Sequence, residues 1–255
     1  MKLATWNVNS IRKRLDRLVP WLAENQPDVL CVQETKVEDA LFPRVEIEAA
    51  GYHALCHGQK TYNGVALLTR QPVVDVSRGF ADGGDDAQAR FLVATIGKVR
   101  VGTVYVPNGQ TVESEKFAYK LAWLARLRAW LTTSADPALP MALCGDINIA
   151  PDDRDVYDPE GWKDQVLCHP KERAALADIC RWGLVDVFRR QHAEGGLYSW
   201  WDYRQLSFPK NLGLRIDLIL CTPSLAERCI SVTIDRSARK GVAPSDHAPV
   251  VAEFT

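Results

Sequence analysis

Short apolar runs alternate along the chain with longer segments whose apolar residues recur every three or four positions. The runs KLATWN, DVLCVQE and NGVALLTR predict buried strands in the first third of the sequence. Between the first two runs, residues 10–25 have the spacing of an amphipathic helix, with Ser10 as its expected N-cap. The positions that carry this spacing are Ile11, Leu15, Leu18, Val19 and Leu22.

The middle of the chain repeats this alternation. ARFLVATIG and VRVGTVYVPNG predict a hairpin that turns near Gly97 and Lys98. SEKFAYKLAWLARLRAWLTT predicts the clearest helix, whose apolar stripe is Phe117, Leu121, Leu124, Leu127 and Leu131. MALCGDIN predicts a further strand, and KERAALADICRWG predicts a helix that ends at Gly183.

Four more strand-like runs, LYSWWDY, LRIDLILC, ISVTIDR and APVVAEF, follow in the last third. ADGGDDAQ and the acidic PDDRDVYDPEGWKDQ predict loops. Because no Pro-, Gly- or Ser-rich linker divides the chain, we expect residues 1–255 to form one α/β domain. Its expected architecture is two β-sheets packed face to face, with helices outside.

Composition excludes several classes of protein. A formal net charge of -1 gives no overall attraction to nucleic acid, so a site for a polyanion must be a local patch. The seven cysteines are dispersed without a CxxC pair, which indicates reduced thiols and a cytoplasmic location. The N-terminus does not resemble a signal peptide, and no run of apolar residues is long enough to span a membrane. Without a heptad seam, a monomer is expected.

Polar residues follow or interrupt the predicted strands throughout the chain. They are Asn7, Glu34, Tyr105, Asn108, Asp146, Asn148, Asp217, Asp246 and His247. Because strand ends of a sandwich gather at one rim, these side chains are expected to converge in a single pocket. Carboxylate and amide oxygens suit Mg²⁺ or Mn²⁺ rather than zinc, and one histidine suits proton transfer.

Most of these residues, taken singly, have an ordinary structural explanation. Asn7 and Asn9 are common turn residues, and GDIN is a plausible tight turn with an Asx hydrogen bond. Asp217 is harder to explain in this way, because it lies between apolar residues and a buried carboxylate is costly unless it is paired or binds a cation. The ordered set therefore favours a catalytic pocket.

The ordered motifs carry a family resemblance that covers residues 3 to 254. They are TWNVNS, CVQETK, NGVALL, YVPNG, CGDINIAP, YSWWDYR, GLRIDLIL and PSDHAPV. This set resembles the exonuclease III family of abasic-site endonucleases, within the endonuclease/exonuclease/phosphatase superfamily. The resemblance implies a four-layer α/β sandwich of two packed mixed sheets flanked by helices. It also implies a Mg²⁺-dependent phosphodiester hydrolase that acts on double-stranded DNA in base excision repair.

The resemblance also implies a role for each motif residue. Glu34 would be the principal metal ligand, with Asn7, Asn9 and Asp246 close by, and Asp146 and Asn148 would join if a second ion binds. The family often has Asp where this chain has Asn9. Tyr105 and Asn108 would hold the scissile phosphate. Asp146 would align or deprotonate the attacking water, and Asn148 would help to orient the water and the phosphate. His247, paired with Asp217, would donate to a non-bridging oxygen.

Substrate preference is expected to depend on two further regions. By resemblance, Trp200, Leu214 and Ile216 would line an apolar slot for a sugar that lacks its base. Alternation along a strand would place Trp200 and Trp201 on opposite faces, so that one packs and the other meets the ligand. His169 occupies a loop position where family members carry smaller or non-ionisable residues. We hypothesise that its ring obstructs a continuous strand, so that 3′-5′ exonuclease or 3′-end cleaning dominates over internal abasic cleavage.

Basic residues near the motifs could contact DNA phosphates on either side of the pocket. They are Arg12 to Arg14, Lys60, Arg90, Lys116, Lys120 and Arg236 to Lys240. Two alternatives remain open: an inositol-phosphate or sphingolipid phosphoesterase of the same superfamily, and a DNA-binding protein that has lost catalysis. The WWDYR segment and the filled catalytic positions favour the DNA enzyme.

Overall fold

The apolar runs of the sequence form the two central sheets of the protein. A computed structural model describes residues 1–84 and 88–255. The first sheet has the strand order β11-β12-β1-β2-β4-β3. Its strands are β1 (Lys2–Asn7), β2 (Val29–Gln33), β3 (His53–His57), β4 (Val65–Thr69), β11 (Cys229–Ile234) and β12 (Val250–Phe254).

The second sheet also has six strands, in the order β5-β6-β7-β8-β10-β9. They are β5 (Val74–Arg78), β6 (Phe91–Ile96), β7 (Val99–Tyr105), β8 (Met141–Asp146), β9 (Val185–Asp186) and β10 (Asp217–Cys221). Both sheets are mixed, because β1 and β2 are parallel, β7 and β8 are parallel, and the other pairings are antiparallel.

Most of the helices cover the outer faces of the sheets, whereas the helices at residues 187–191 and 223–226 pack against the cluster between the sheets. They are α1 (Leu15–Asn25), α2 (Arg44–Ala49), α3 (Glu115–Ser134), α4 (Pro170–Arg181), α5 (Val187–Gln191) and α6 (Pro223–Ala226). Among the described residues, three 3₁₀ segments lie at Asp39–Leu41, Asp153–Asp155 and Arg236–Arg239.

Three apolar clusters hold the layers together. One cluster fills the space between the sheets, with Cys31 and Leu67 of the first sheet facing Ala142 of the second. A second cluster packs α3 and α4 on the second sheet, and a third packs α1 and α2 on the first sheet. The predicted four-layer α/β sandwich is confirmed. In the part of the chain that the structure describes, no helix is both long enough and apolar enough to cross a membrane.

Several local predictions are confirmed and others are wrong. The β6–β7 hairpin turns at Gly97 and Lys98, and α3 begins after Ser114, whose hydroxyl accepts from Phe117 N. Ser10 does not cap α1, because its φ of 88° is left-handed whereas an N-cap is extended, and the helix starts only at Leu15. Part of the predicted ADGGDDAQ loop, residues 85–87, lies outside the described residues.

The segment LYSWWDY does not form the predicted strand. Within this segment, Trp200 alone makes isolated bridges, to Leu214 and His247. The reason lies in Ser199, whose Oγ accepts from the backbone N–H groups of Ile216 and Asp217 at 3.1 and 3.0 Å. A side chain thus replaces the ladder partners that a strand would need.

Candidate active site

The predicted polar residues meet at one rim of the sandwich because of strand direction. β1 and β2 run parallel and end at Asn7 and Gln33, immediately before Glu34. β7 and β8 also run parallel, and their last residues, Tyr105 and Asp146, are register partners. Antiparallel β10 begins at this same edge, where Asp217 pairs with Asp146.

Asp146 lies at the centre of this rim and is almost fully buried. Its Oδ2 accepts from Asn7 Nδ2 at 2.9 Å, and its Oδ1 accepts from Asn148 N at 3.0 Å. The preceding residue must be glycine, since a Cβ on Gly145 would lie 1.9 Å from Val104 O. The GD pair of the sequence therefore lets β8 approach β7 closely just where the carboxylate is needed.

His247 lies between two carboxylates. Its Nδ1 is 2.9 Å from Asp217 Oδ2, and its Nε2 is 3.7 Å from Asp146 Oδ2. Ser199 Oγ donates to the same Asp217 oxygen at 2.7 Å and so helps to fix the carboxylate beside the ring. Burial alone would lower the pKa of His247, but Asp217 and Asp146 raise it to about 10. The ring is therefore held as a proton donor at neutral pH.

The same crowding acts on Asp146. Burial, together with Asp217 and Glu34, raises the pKa of Asp146 to about 7, against the lowering effects of His247 and Asn7. A carboxyl group with this pKa can accept a proton near neutral pH. Asp146 and His247 thus form a base and an acid side by side.

Glu34 lies on the opposite side of the rim. Its φ of 53° is unusual for a residue with a long side chain and turns the backbone after β2. Glu34 Oε1 accepts from Asn7 Nδ2 at 2.8 Å, and Oε2 lies 2.6 Å from Lys36 Nζ. Burial, then Glu34 and Asp146, raise the pKa of Tyr105 well above its ordinary value, so the phenol keeps its proton.

Asp246 completes the rim from the loop before β12. Its Oδ1 accepts from Asn9 Nδ2 at 2.9 Å, and its Oδ2 accepts from Trp200 Nε1 at 3.0 Å. Burial would raise the pKa of Asp246, but His247 and these two hydrogen bonds lower it. Asn9 in turn accepts from Lys36 Nζ at 2.6 Å, which links Asp246 to the Glu34 side.

A group of residues at this rim could hold a metal ion. Glu34, Asp146 and His247 each bring one ligand atom to within 4.8 Å of the others. The carboxylate oxygens are hard donors that fit Mg²⁺ or Mn²⁺, whereas a protonated His247 is not a ligand. Asn7 turns its amide nitrogen toward the carboxylates, and its oxygen accepts from Asn9 N at 3.0 Å. Its predicted role as a ligand remains a prediction.

The two predicted phosphate-binding asparagines contact each other. Asn108 Nδ2 donates to Asn148 Oδ1 at 3.1 Å, and Asn148 Nδ2 donates to Val106 O at 3.0 Å. Asn148 has a φ of 52°, a left-handed conformation that asparagine tolerates better than most residues. Together with Tyr105 they form the wall of the rim on the second sheet.

Trp200, Leu214 and Ile216 belong to one apolar cluster, but they differ in exposure. Leu214 and Ile216 are buried, whereas Trp200 is half-buried and Trp201 is fully buried. The expected division, one tryptophan packing and the other facing outward, therefore matches their burial. The opening beside Trp200 is a cavity of about 300 Å³ that Tyr157, Trp162 and Leu212 also line. Leu214 and Ile216 do not line it.

His169 has a structural role that was not predicted from the sequence. It is the N-cap of α4, and its Nδ1 accepts from Lys171 N at 3.1 Å. Its ring packs edge-on against Phe117, with centroids 5.2 Å apart. Its proposed effect on substrate choice remains a prediction.

Two of the basic residues expected to contact DNA are buried instead. Lys120 is fully buried in an ion pair with Glu172, and Arg239 is buried and donates to Ser245 O. Arg90 and Lys116 line a cavity of about 750 Å³ beside Tyr105 and Asn108. The exposed basic groups nearest the rim are therefore fewer than the sequence indicated.

Three residues that support the site were not predicted from the sequence. Lys36 pairs with Glu34, Ser199 holds Asp217, and Ser245 Oγ donates to Asn7 O at 2.6 Å. Each lies within two residues of a predicted site residue, which is the only signal that could have identified them.

Comparison with known proteins identifies the family of this chain. The model of the endonuclease/exonuclease/phosphatase family matches residues 4–247. Exodeoxyribonuclease III of Haemophilus influenzae is 39% identical over the full length of both chains. A 3′ phosphatase from Neisseria, solved with a product DNA hairpin, is 43% identical with a TM-score of 0.96, covering 100% of this chain and 99% of that one.

An AP endonuclease from Archaeoglobus fulgidus is equally similar. It is 42% identical with a TM-score of 0.96, and the match covers 100% of this chain and 99% of that chain. The full-length matches and the assembled rim lead to one conclusion. The chain belongs to the exonuclease III and AP endonuclease family of hydrolases, within the endonuclease/exonuclease/phosphatase superfamily.

Proposed function

We propose that this protein hydrolyses phosphodiester bonds of double-stranded DNA at 3′ ends and at abasic sites, as an exonuclease III-type enzyme of base excision repair. The observation that carries the proposal is the Asp146–His247–Asp217 arrangement beside Glu34. It provides a base, an acid and a cation site around one point, which is what attack on an anionic phosphodiester requires.

Each residue has a defined part in direct attack by water. Asp146 takes a proton from the water as the water oxygen bonds to phosphorus and the bond to the leaving oxygen breaks in line, and the leaving oxygen takes a proton from solvent. Protonated His247 donates a hydrogen bond to a non-bridging oxygen, and Asp217 holds the ring. Tyr105 and Asn148 donate to the same phosphate, while Asn108 orients it. Asn9 keeps Asp246 in place.

The donor set also supports a divalent cation. Glu34 would hold Mg²⁺ or Mn²⁺, with Asn7 and Asp246 nearby and with Asp146 and Asn148 if a second ion binds. The ion supplies Lewis acidity and neutralises charge on the phosphate. Lys36 pairs with the Glu34 carboxylate. An ion held by Glu34 would compete with Lys36 for that carboxylate.

DNA is favoured as substrate by the relatives and by the surface next to the rim. The Neisseria 3′ phosphatase was solved with a DNA hairpin. In this chain the Arg90 guanidinium lies over the Tyr105 ring, 4.7 Å from its centroid, and Lys116 is exposed nearby. These groups suit the phosphates that flank the scissile bond.

End processing is proposed as the dominant activity. The fold does not decide this balance, because a 3′ phosphatase and an AP endonuclease match it equally well. The half-buried Trp200, which packs against the cluster of buried Leu214 and Ile216, would receive the terminal or abasic sugar. The His169 ring would narrow the path of a continuous strand.

A panel of substrates tests the proposed function. Purified protein is incubated with a 3′-recessed duplex, a duplex with an internal abasic analogue, an inositol phosphate and sphingomyelin, each with Mg²⁺ or with chelator. We expect Mg²⁺-dependent release of nucleotides from the 3′ end, slower Mg²⁺-dependent nicking at the abasic analogue, and no turnover of the inositol phosphate or sphingomyelin. Hydrolysis of the inositol phosphate or the lipid alone would contradict the proposal, and so would DNA binding without cleavage.

We also propose that residues 1–255 act as one domain, as a monomer in the cytoplasm.

A further inference from the structure

Lys120 is a buried cation that no step of the proposed reaction uses. It lies on α3, and its side chain is fully buried. Its Nζ donates to Asn108 O at 3.1 Å and to Asn148 O at 2.6 Å, and it pairs with Glu172 of α4. One ammonium group therefore joins α4 to the backbone of both asparagines at the rim.

These contacts connect two loops that come from neighbouring strands. The β7 loop (residues 106–109) carries Asn108, and the β8 loop (residues 147–150) carries Asn148. The side chains of the two asparagines also bond, at 3.1 Å, so Lys120 reinforces that bond from the backbone side. A lysine amine is well suited to this, because its three donors can satisfy two carbonyls and one carboxylate at once.

The local backbone is shaped around the lysine. Gly109 has a φ of 96°, and a Cβ there would lie 3.2 Å from Lys120 Cδ and 3.0 Å from Val166 Cγ2. Asn148 is held in a left-handed conformation that needs support from its surroundings. Glu172 is fixed in turn, because its Oε2 accepts from His169 N at 3.1 Å.

We propose that Lys120 is a positioning residue that acts through Asn148 and Asn108, with Glu172 holding its ammonium group. The inference rests on the proposed phosphodiester hydrolysis, since it assigns to Lys120 the geometry of two residues of that reaction. The inference also connects α4 to the rim without requiring His169 to contact DNA. Glu172 accepts from His169 N and pairs with Lys120, which donates to Asn148 O.

Stability alone does not explain this arrangement. A buried ion pair can often be replaced by apolar residues of similar volume without loss of stability, whereas removal of one partner leaves an unpaired charge. The informative variant is therefore Lys120→Met/Glu172→Leu, which removes both charges. Arg128→Gln/Asp178→Asn is a matched control, because Arg128 and Asp178 join the same two helices at 3.5 Å and neither contacts the asparagines.

The first readout is independent of activity. Hydrogen exchange of the β7 and β8 loops should quicken in Lys120→Met/Glu172→Leu at an unchanged melting temperature, and should not change in Arg128→Gln/Asp178→Asn. Failure of the Lys120 variant to fold, or unchanged exchange in both loops, would overturn the inference.

The second readout is a double-mutant cycle on DNA cleavage. We expect Lys120→Met/Glu172→Leu to lower kcat by at least about tenfold with little change in KM, and to add nothing further in an Asn148→Ala background. Additive losses would show that Lys120 does not act through Asn148. If wild-type protein does not cleave DNA at all, the proposed function fails first. Cleavage by wild type with additive losses defeats only the positioning role.

Discussion

At the scale of single residues, the rim contains more negative than positive charge. Glu34, Asp146, Asp217 and Asp246 face only Lys36 and His247 among the contacts described above. Burial is the main cause of the raised pKa of Asp146, and the negative charges of Asp217 and Glu34 raise it further. A divalent cation beside Glu34 would offset this excess of negative charge. The donor set and the charge balance therefore both favour a divalent cation at the rim.

Replacement of Glu34 tests the position of the metal. In Glu34→Gln we expect the Mg²⁺ concentration for half-maximal cleavage to rise by at least about tenfold, because the variant loses a charged oxygen ligand. A Mg²⁺ titration of the cleavage rate measures this. Glu38→Gln, four positions along and exposed, is the control. An unchanged titration in Glu34→Gln would mean that the ion binds elsewhere.

The buried histidine predicts a dependence of stability on pH. Because the pKa of His247 is raised from 6.5 to about 10, the folded state holds this proton more tightly than the unfolded state. The stabilisation is fully present below pH 6.5 and is lost as the pH rises toward 10. We expect the difference in unfolding free energy between wild type and His247→Gln to shrink over this window, measured by urea unfolding without metal. A constant difference would show that His247 is not charged in the folded protein.

At the scale of elements, the spacing of apolar residues predicted the longest helix and the β6–β7 hairpin. It failed where a side chain bonds the backbone groups that a neighbouring strand would otherwise pair. The twenty-residue helix α3 and the β6–β7 hairpin were predictable from their apolar patterns. The buried face of α3 was predicted only in part, because Leu121 is half-buried whereas Trp123 and Trp130 are buried. The strand expected at LYSWWDY was not formed, since Ser199 takes the donors of Ile216 and Asp217. The short edge strands β3 and β5 were also missed, because their mixed exposure gives no apolar run.

The N-cap of α4 allows a clean test of His169. Serine is a strong N-cap, so His169→Ser should keep the helix start while removing the ring. We expect the ratio of internal abasic cleavage to 3′-end digestion to rise in His169→Ser, measured on matched labelled duplexes. His169→Ala should show the same change of ratio and lose about 1 kcal/mol of stability. An unchanged ratio in both variants would make His169 a structural cap only.

At the scale of the whole molecule, a nearly neutral chain concentrates its chemistry at one rim. The formal net charge is -1, so attraction to DNA must come from local groups such as Arg90 and Lys116. The convergence of strand ends was predictable, because parallel β1 and β2 and parallel β7 and β8 end at the same edge. The burial of Lys120 was not, since only the packing of α3 on α4 places Glu172 beside it.

The salt dependence of DNA binding tests this local patch. Each phosphate that the protein neutralises should steepen the slope of log K against log salt by about 0.9. In Lys116→Gln we therefore expect a slope that is shallower by about one unit. Lys98→Gln, in the β6–β7 turn at the opposite end of β7, is the control. Equal slopes in the two variants would exclude Lys116 from the DNA interface.

The most direct test of the central claim compares wild type with Asp146→Asn on DNA. Single-turnover cleavage is measured on a 3′-recessed duplex and on a duplex with an internal abasic analogue, with Mg²⁺, alongside the Kd for each duplex. We predict that Asp146→Asn cleaves both substrates about 10²–10⁴-fold more slowly while binding them as tightly, because it loses the base but keeps the shape of the rim. Cleavage at the wild-type rate would remove Asp146 from the reaction and contradict the account of this site.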